Sequence, residues 1–346
     1  MKRPQTSINT GLAAIFTLFY LQKSSYYTCM EGFVKNKFKK CNEKKEKKMK
    51  KQKVMILAVL ATLLWGSAYP CIKIGYEWFQ IAADDLGSKF LFAGIRFVMA
   101  GLMVLGFTAW KRTKDCVPPT GMLGRLALLG VMQTTIQYIF FYVGLANTTG
   151  AKSAIINSFT AFFPIILAPL FFRDDRLTVR KGLGCLIGLA GIVIINLDGS
   201  GLGGFKLTGE GFALFAAMAQ SLASIYSKKL AKYMNVMTIT GYQLTIGGIL
   251  LVLAGILSKG SLAFTWQGII LLVYMAALSA VAFTVWTYLL SHNPVSTISI
   301  YNLLIPVFGT LLSGIFLREN IMTWGHLISI LLVCAGIVLV NRKQKE

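Results

Sequence analysis

The chain writes AGIVIIN at residues 190–196 and AGIVLVN at residues 335–341, and the 145-position step between these copies decides how the fold is read. Carried along without a gap, the same step sets Asn157 against Asn302, Phe171 against Phe316 and Arg173 against Arg318. Agreement at one fixed step marks an internal repeat rather than a chance heptapeptide. Both copies are apolar, so the repeat unit has to be sought in segments that avoid water.

Outward from these copies, apolar stretches recur near 54–75, 89–109, 124–146, 151–172, 179–197, 209–227, 236–257, 266–290, 295–317 and 322–341. Most approach the roughly 20 residues that a helix rising about 1.5 Å per residue needs to cross some 30 Å of hydrocarbon. The runs are continuous where barrel strands would alternate, and lipid admits only helices or closed barrels. At 55% hydrophobic and 14% charged residues, with mean hydropathy +0.64, the chain cannot present an ordinary soluble surface. The expected fold is an all-α integral membrane protein of about ten transmembrane helices, arranged as two five-helix repeats at 54–197 and 208–341. Five is odd, so the second repeat is expected to insert upside down relative to the first, a plan in which a central site opens alternately to the two sides.

The net charge of +22 invites a nucleic-acid reading that its distribution removes. With the N-terminus in the cytoplasm, seventeen Lys and Arg from Lys50 onward fall on the inner side; only Lys89, Lys152, Lys206, Lys259 and Arg318 fall outside. That bias follows the positive-inside rule and places both termini in the cytoplasm of a multi-pass cell-membrane protein, with no nucleic-acid partner. Trp78, Trp110, Trp266 and Trp324 stand at span ends, as an aromatic belt requires. Residues 1–53 form a basic extension; its apolar run at 11–22 is too short to span, so it is expected to lack structure, with Met49 an expected alternative start. Six scattered cysteines without CxxC spacing suit neither a disulfide framework nor a metal site. GSGLGG at 199–204 has GxGxxG spacing but ends an apolar span with no βαβ unit around it, and no P-loop exists, so no cofactor is expected.

WGSAYPCIK at 65–73, GIRF at 94–97, the proline-containing fourth and ninth spans and the glycine-rich fifth span resemble the EamA-type transporters of the drug/metabolite transporter superfamily. The resemblance covers essentially everything after Met49. It implies a ten-helix carrier of small metabolites, including amino acids and related compounds. RDDR at 173–176 departs from the pattern, where a single Glu is more usual.

All ten acidic residues after Met49 lie in expected loops or at span ends, so no carboxylate is placed for a transmembrane proton relay. Arg96 is different. It sits about seven residues, or some 10 Å, inside the second span, where an unpaired charge costs roughly 2.5–3.5 kcal/mol. Either it faces a cavity and attracts a substrate carboxylate, or it pairs with Asp84, Asp85 or backbone carbonyls. Lys73, near the end of the first span, is expected to snorkel to the interface.

Uncharged polar groups outline the expected cavity. Asn157 and Asn302 are repeat mates, each followed by a proline, Pro164 or Pro306, that frees backbone carbonyls toward a wet centre. Thr160, Tyr301 and Trp65 join them, with Gln133, Gln137, Tyr138 and Tyr142 from the third span and Gln220, Ser224, Trp286 and Tyr288 from the second half. The candidate substrate-binding set is Trp65, Arg96, Gln137, Tyr138, Asn157, Thr160, Gln220, Trp286, Tyr301 and Asn302. Such groups also serve as interhelical glue, worth about 0.6 kcal/mol each. Gly184, Gly188 and Gly191 share a face and read as a close-packing seam.

An enzyme is disfavoured because His292 and His326 are far apart and lack carboxylate partners at recognisable spacing. A channel is disfavoured by the lack of a charged ring or filter loop. The expected function is export of amino-acid-like or carboxylate-bearing solutes by alternating access, with multidrug efflux as the alternative. The expected partners are a small-molecule substrate and membrane lipid, and the glycine patterns leave a homodimer open.

Overall fold

A computed structural model describes residues 49–111, 117–119, 121–148, 156–196, 206–317 and 324–341. The basic N-terminal segment before Met49 and the GSGLGG loop lie outside the described residues. Among these there is helix and no strand. The helices are α1 (Lys51–Trp78), α2 (Leu86–Trp110), α3 (Leu123–Gly130, a π turn Val131–Ile136, then Gln137–Ala146), α4 (Phe159–Phe171) and α5 (Val179–Asn196). A π turn at Leu207–Gly211 then leads into α6 (Phe212–Leu230), followed by α7 (Val236–Leu257) and α8 (Trp266–His292). After α9 (Val295–Ser299, a 3-10 turn Ile300–Leu303, then Leu304–Leu317) comes α10 (Trp324–Asn341). Helices α1, α2, α3, α7, α8 and α9 are long and apolar enough to cross a membrane; Phe159–Phe171 and Leu327–Asn341 are shorter apolar helices.

Local chemistry sets where several helices begin and end. Asp85 caps α2 by accepting from the Ser88 amide at 2.8 Å, Asn235 caps α7 through the Met237 amide at 2.9 Å, and Thr265 caps α8 through the Gly268 amide at 3.1 Å. Helices α1 and α7 both close with a left-handed residue, Gln80 (φ 54°) and Lys259 (φ 57°). The next amide in each case, Ile81 or Gly260, reaches back five residues to Tyr76 or Gly255 and satisfies an orphan carbonyl. Trp78, Trp110, Trp266 and Trp324 sit at helix ends, 39%, 77%, 73% and 81% exposed.

Two helix pairs pack on glycine. A Cβ on Gly94 would meet the Val252 amide at 2.7 Å and the Gly248 carbonyl at 3.0 Å; one on Gly101 would meet the Gly241 carbonyl at 2.7 Å; one on Gly255 would meet the Gly87 carbonyl at 2.9 Å. Gly87, Gly94 and Gly101 recur every seventh residue on α2 and face Gly255, Gly248 and Gly241 in reverse order, so α2 and α7 run antiparallel in backbone contact. Helices α5 and α10 do the same: Gly184 abuts Gly336 and Gly191 abuts Ser329, while Gly188 meets Leu303 of α9. The pairing pattern is balanced between the halves: α1 packs on α8 and α9, and α6 packs on α3 and α4.

The helix bounds alter the expected depth of Arg96. Because α2 starts at Leu86 rather than at 89, Arg96 lies about 15 Å from its start, close to mid-helix.

Candidate functional site

One face of α1 carries Trp65, Tyr69 and Tyr76, spaced so that all three point the same way. Trp65 packs edge-on against Phe283 at 5.2 Å and Trp286 at 5.1 Å on α8. From Phe283 the aromatic contacts continue to Phe97 on α2 (6.1 Å), then to Tyr138 (4.7 Å) and Tyr142 on α3 (6.0 Å). Four helices thus contribute to one aromatic wall, of the kind favoured by offset and edge-on ring contacts.

Arg96 lies on this wall, its Cζ 4.3 Å from the Phe97 ring centre and 5.9 Å from that of Tyr138. It is 3% exposed, and its Nε is buried with no acceptor. The Tyr138 hydroxyl accepts from the guanidinium, Tyr76 and Tyr142 stand within its electrostatic reach, and the Tyr76 and Tyr142 hydroxyls approach one another. Asp85 is engaged by Ser88, and among the described residues no carboxylate forms an ion pair with Arg96. The pairing with Asp84 or Asp85 weighed from the sequence is therefore not made. Cation–π contact offsets part of the cost of burying the charge, about 0.5–2 kcal/mol, but supplies no acceptor for Nε.

Tyr69 stands beside this group. It lies next to Asn157 of the segment leading into α4 and 3.0 Å from where a Cβ on Gly309 of α9 would sit, and 38% of its surface is exposed. Tyr69 thus stands where α1 meets α9 and the segment leading into α4, with Tyr138 of α3 within electrostatic reach.

On the α9-start side the bundle is closed. The Asn302 amide donates to the Thr160 carbonyl at 3.3 Å, and Tyr301 is buried among Val295, Ile298 and Leu303. Beyond them Asp175, 2% exposed, accepts from the Ser296 amide at 2.9 Å, from the Ser296 hydroxyl and from Lys181 Nζ at 2.8 Å. The Lys51 ammonium, donating to the Asn341 carbonyl at 3.1 Å, joins the start of α1 to the end of α10.

Gln137 and Gln220 belong to the α3–α6 crossing. Phe140 meets Phe215 at 4.7 Å, and a Cβ on Gly144 would lie 2.8 Å from the Ala213 amide. Extending that antiparallel register brings Gln137 level with Gln220, and the side-chain oxygen of each is buried without a donor. Gln133 is buried, and its neighbours tie α3 to α7: Thr134 donates to Gln243 at 3.0 Å and Thr135 to the Gly247 carbonyl at 3.0 Å.

Of the residues expected from sequence, Trp65, Trp286, Arg96 and Tyr138 share one wall, and Asn157 lies against Tyr69. Thr160, Tyr301 and Asn302 belong to the closed crossing of α4 and α9. Tyr69, Tyr76, Phe97 and Phe283 were not picked, although the spacing of the two tyrosines from Trp65 carried the signal. An apolar groove of about 260 Å³ between α2 and α7, lined by Ile95, Val98, Met99, Ile249, Val252 and Leu253, has no polar group to orient a solute. Among the described residues no three His, Cys, Asp or Glu converge as metal ligands.

The family described as the EamA-like transporter family matches residues 52–197 and 207–342, one match in each half. The chain is similar to YvbV, an uncharacterized transporter of Bacillus subtilis, at 28% identity over 82% of this chain and 90% of that one. It is also similar to an uncharacterized transporter of Archaeoglobus fulgidus (25%, covering 83% and 96%) and to a chloroplastic WAT1-related protein of Arabidopsis thaliana (25%, covering 80% and 66%). A solved crystal structure superposes with a TM-score of 0.70 at 17% identity, over 84% of this chain and 97% of that one, which shows a shared fold.

Proposed function

Since this chain belongs to the EamA-like transporter family, we propose that it moves small carboxylate-bearing solutes, amino acids or similar metabolites, across the cell membrane by alternating access, with export favoured. In this reading α1–α10 all span, the second five inverted relative to the first. The antiparallel pairs α2/α7 and α5/α10 support that inversion, since each pair joins counterparts from the two halves. The positive-inside bias supports a cytoplasmic location for the end where α1 starts and α10 finishes. Lipid covers the exposed apolar side chains, such as Leu170, Val179 and Leu257.

Arg96 carries the reading: a buried guanidinium on the aromatic wall, with an unsatisfied Nε and, among the described residues, no carboxylate partner. A substrate carboxylate supplies two acceptors for the planar fork and cancels the charge, while the aromatic wall receives the apolar part. Opening to the cytoplasm then requires the α4–α9 crossing at Thr160 and Asn302 to part.

The test is uptake of a pooled, labelled metabolite panel into proteoliposomes, with and without a proton gradient and with Arg96→Ala in parallel. Transport of a carboxylate-bearing solute, reduced about a hundredfold or more in Arg96→Ala, is the expected result, since breaking a buried charge pair costs roughly 3–5 kcal/mol. Movement of cationic or neutral aromatic compounds alone, equally fast through Arg96→Ala, would overturn it in favour of multidrug efflux.

A further inference from the structure

We infer that this carrier is an obligatory anion exchanger: a monovalent anion occupies the Arg96 site whenever the cavity is closed, and the unloaded protein does not change sides. The inference rests on the reading of Arg96 as the substrate-anion site and adds how transport is driven.

A carrier that returns empty has to close around its own binding groups after releasing the solute. That is easy when the groups are neutral or can become so, as a carboxylate does by taking a proton. Arg96 has no such route, because a guanidinium does not release its proton in proteins. Tyr76, Tyr138, Tyr142 and Cys71 lie within electrostatic reach of it, none of them an anion at neutral pH, and among the described residues no carboxylate forms an ion pair with it. Among the described residues the buried carboxylates are committed elsewhere: Asp175 to Ser296 and Lys181, Glu210 to the Thr148 hydroxyl at 2.6 Å and the Lys206 amide at 2.7 Å. At 3% exposure Arg96 is also cut off from bulk water.

The empty site therefore bears a net positive charge with an unsatisfied Nε. Closing over it means dehydrating a lone cation, whereas closing over a guanidinium–anion pair does not. Each outward passage of one anion must then be followed by the inward passage of another. The ligand class is a monoanion with compact acceptor atoms, either a carboxylate or a halide.

Two measurements on the full chain test this. In detergent, in a sorbitol medium buffered by a zwitterion, chloride, acetate or benzoate is added in turn and the melting temperature followed, with Arg96→Gln alongside. A ligand that binds only the folded state raises the melting temperature saturably. At least one of the three anions should do so in the native protein, and none in Arg96→Gln. No rise with any of them, or the same rise in Arg96→Gln, overturns the inference.

Proteoliposomes are then loaded with the labelled form of the most stabilising anion, clamped with valinomycin and potassium, and diluted into medium with or without an external monoanion, protein-free vesicles being subtracted. Efflux should be at least about tenfold faster into the anion-containing medium. Arg96-dependent efflux that is equally fast into anion-free medium overturns exchange and leaves the carboxylate-carrier reading intact. Exchange of chloride with no movement of any organic carboxylate supports the exchange inference while sinking the metabolite reading.

Discussion

Placing one methyl group at two points on α2 separates a helix seam from a lipid-facing surface. At Gly94 a Cβ would stand 2.7 Å from the Val252 amide nitrogen and 3.0 Å from the Gly248 carbonyl, and backbone atoms cannot rotate aside. Restoring ordinary contact, 3.4 Å or more, requires α2 and α7 to part by about 0.7 Å along a seam built for touching backbones. Overpacking of this kind costs about 1–3 kcal/mol. At Gly106, on the same helix, a Cβ would meet nothing within 4 Å. Both substitutions gain the same helix propensity, about 1 kcal/mol for Gly to Ala, so the difference between them isolates the seam. Gly94→Ala should be about 1–3 kcal/mol less stable than Gly106→Ala when purified protein is unfolded in mixed micelles and followed by tryptophan fluorescence. Equal stability of the two variants would refute the α2–α7 packing described above.

Asp175→Ala removes the acceptor for two Ser296 groups and for Lys181 from a buried position and should cost about 3–5 kcal/mol. The adjacent, exposed Asp174→Ala should change stability by less than about 0.5 kcal/mol in the same assay. Asp85→Ala should cost about 1 kcal/mol through loss of the α2 cap. The Ser88 hydroxyl, then the Ser88 amide, hold the Asp85 carboxyl below its ordinary pKa. A depressed folded value means the contribution is complete above the unfolded pKa near about 3.9 and is lost as pH falls through the folded value. Acid unfolding curves should therefore show less loss below that pH in Asp85→Asn than in the native protein.

The apolar helices were legible because uninterrupted apolar runs in lipid fold as helices, and six of them are long enough to cross a membrane, but helix bounds were not. Hydropathy reports where lipid lies, whereas α1 continues through Lys51 and Lys53 at one end and Glu77 at the other, all compatible with a helix in water. The break in α9 was foreshadowed by Pro306, whose ring displaces the carbonyl a turn earlier, inside the 3-10 turn Ile300–Leu303. The π turn in α3 carried no local signal. It aligns Thr134 and Thr135 with Gln243 and Gly247 of α7, and such a bulge is selected by a neighbour rather than by its own sequence. Arg96 was legible as a charge in an apolar run. Tyr69 was not, because its place beside Asn157 and Gly309 is set by how α1 packs against other helices.

The two halves share a frame but not their chemistry. Gly87, Gly94 and Gly101 stand 154 positions before Gly241, Gly248 and Gly255, so the repeat extends to α2 and α7 at a longer step than the 145 seen from Asn157 onward. At that longer step AGIRFVMAG (93–101) lies over GGILLVLAG (247–255): the glycines of the seam coincide, while Arg96 falls on Leu250 and Phe97 on Leu251. Seam positions are held by the geometry of backbone contact, which both copies must satisfy to pack on each other. The position of Arg96 is under no such constraint, and only one copy places a charge there. A symmetric pair of arginines would put two like charges in one low-dielectric bundle and raise the cost of closure. A single guanidinium lets one monoanion neutralise the site, which is the stoichiometry that exchange of one anion for another requires.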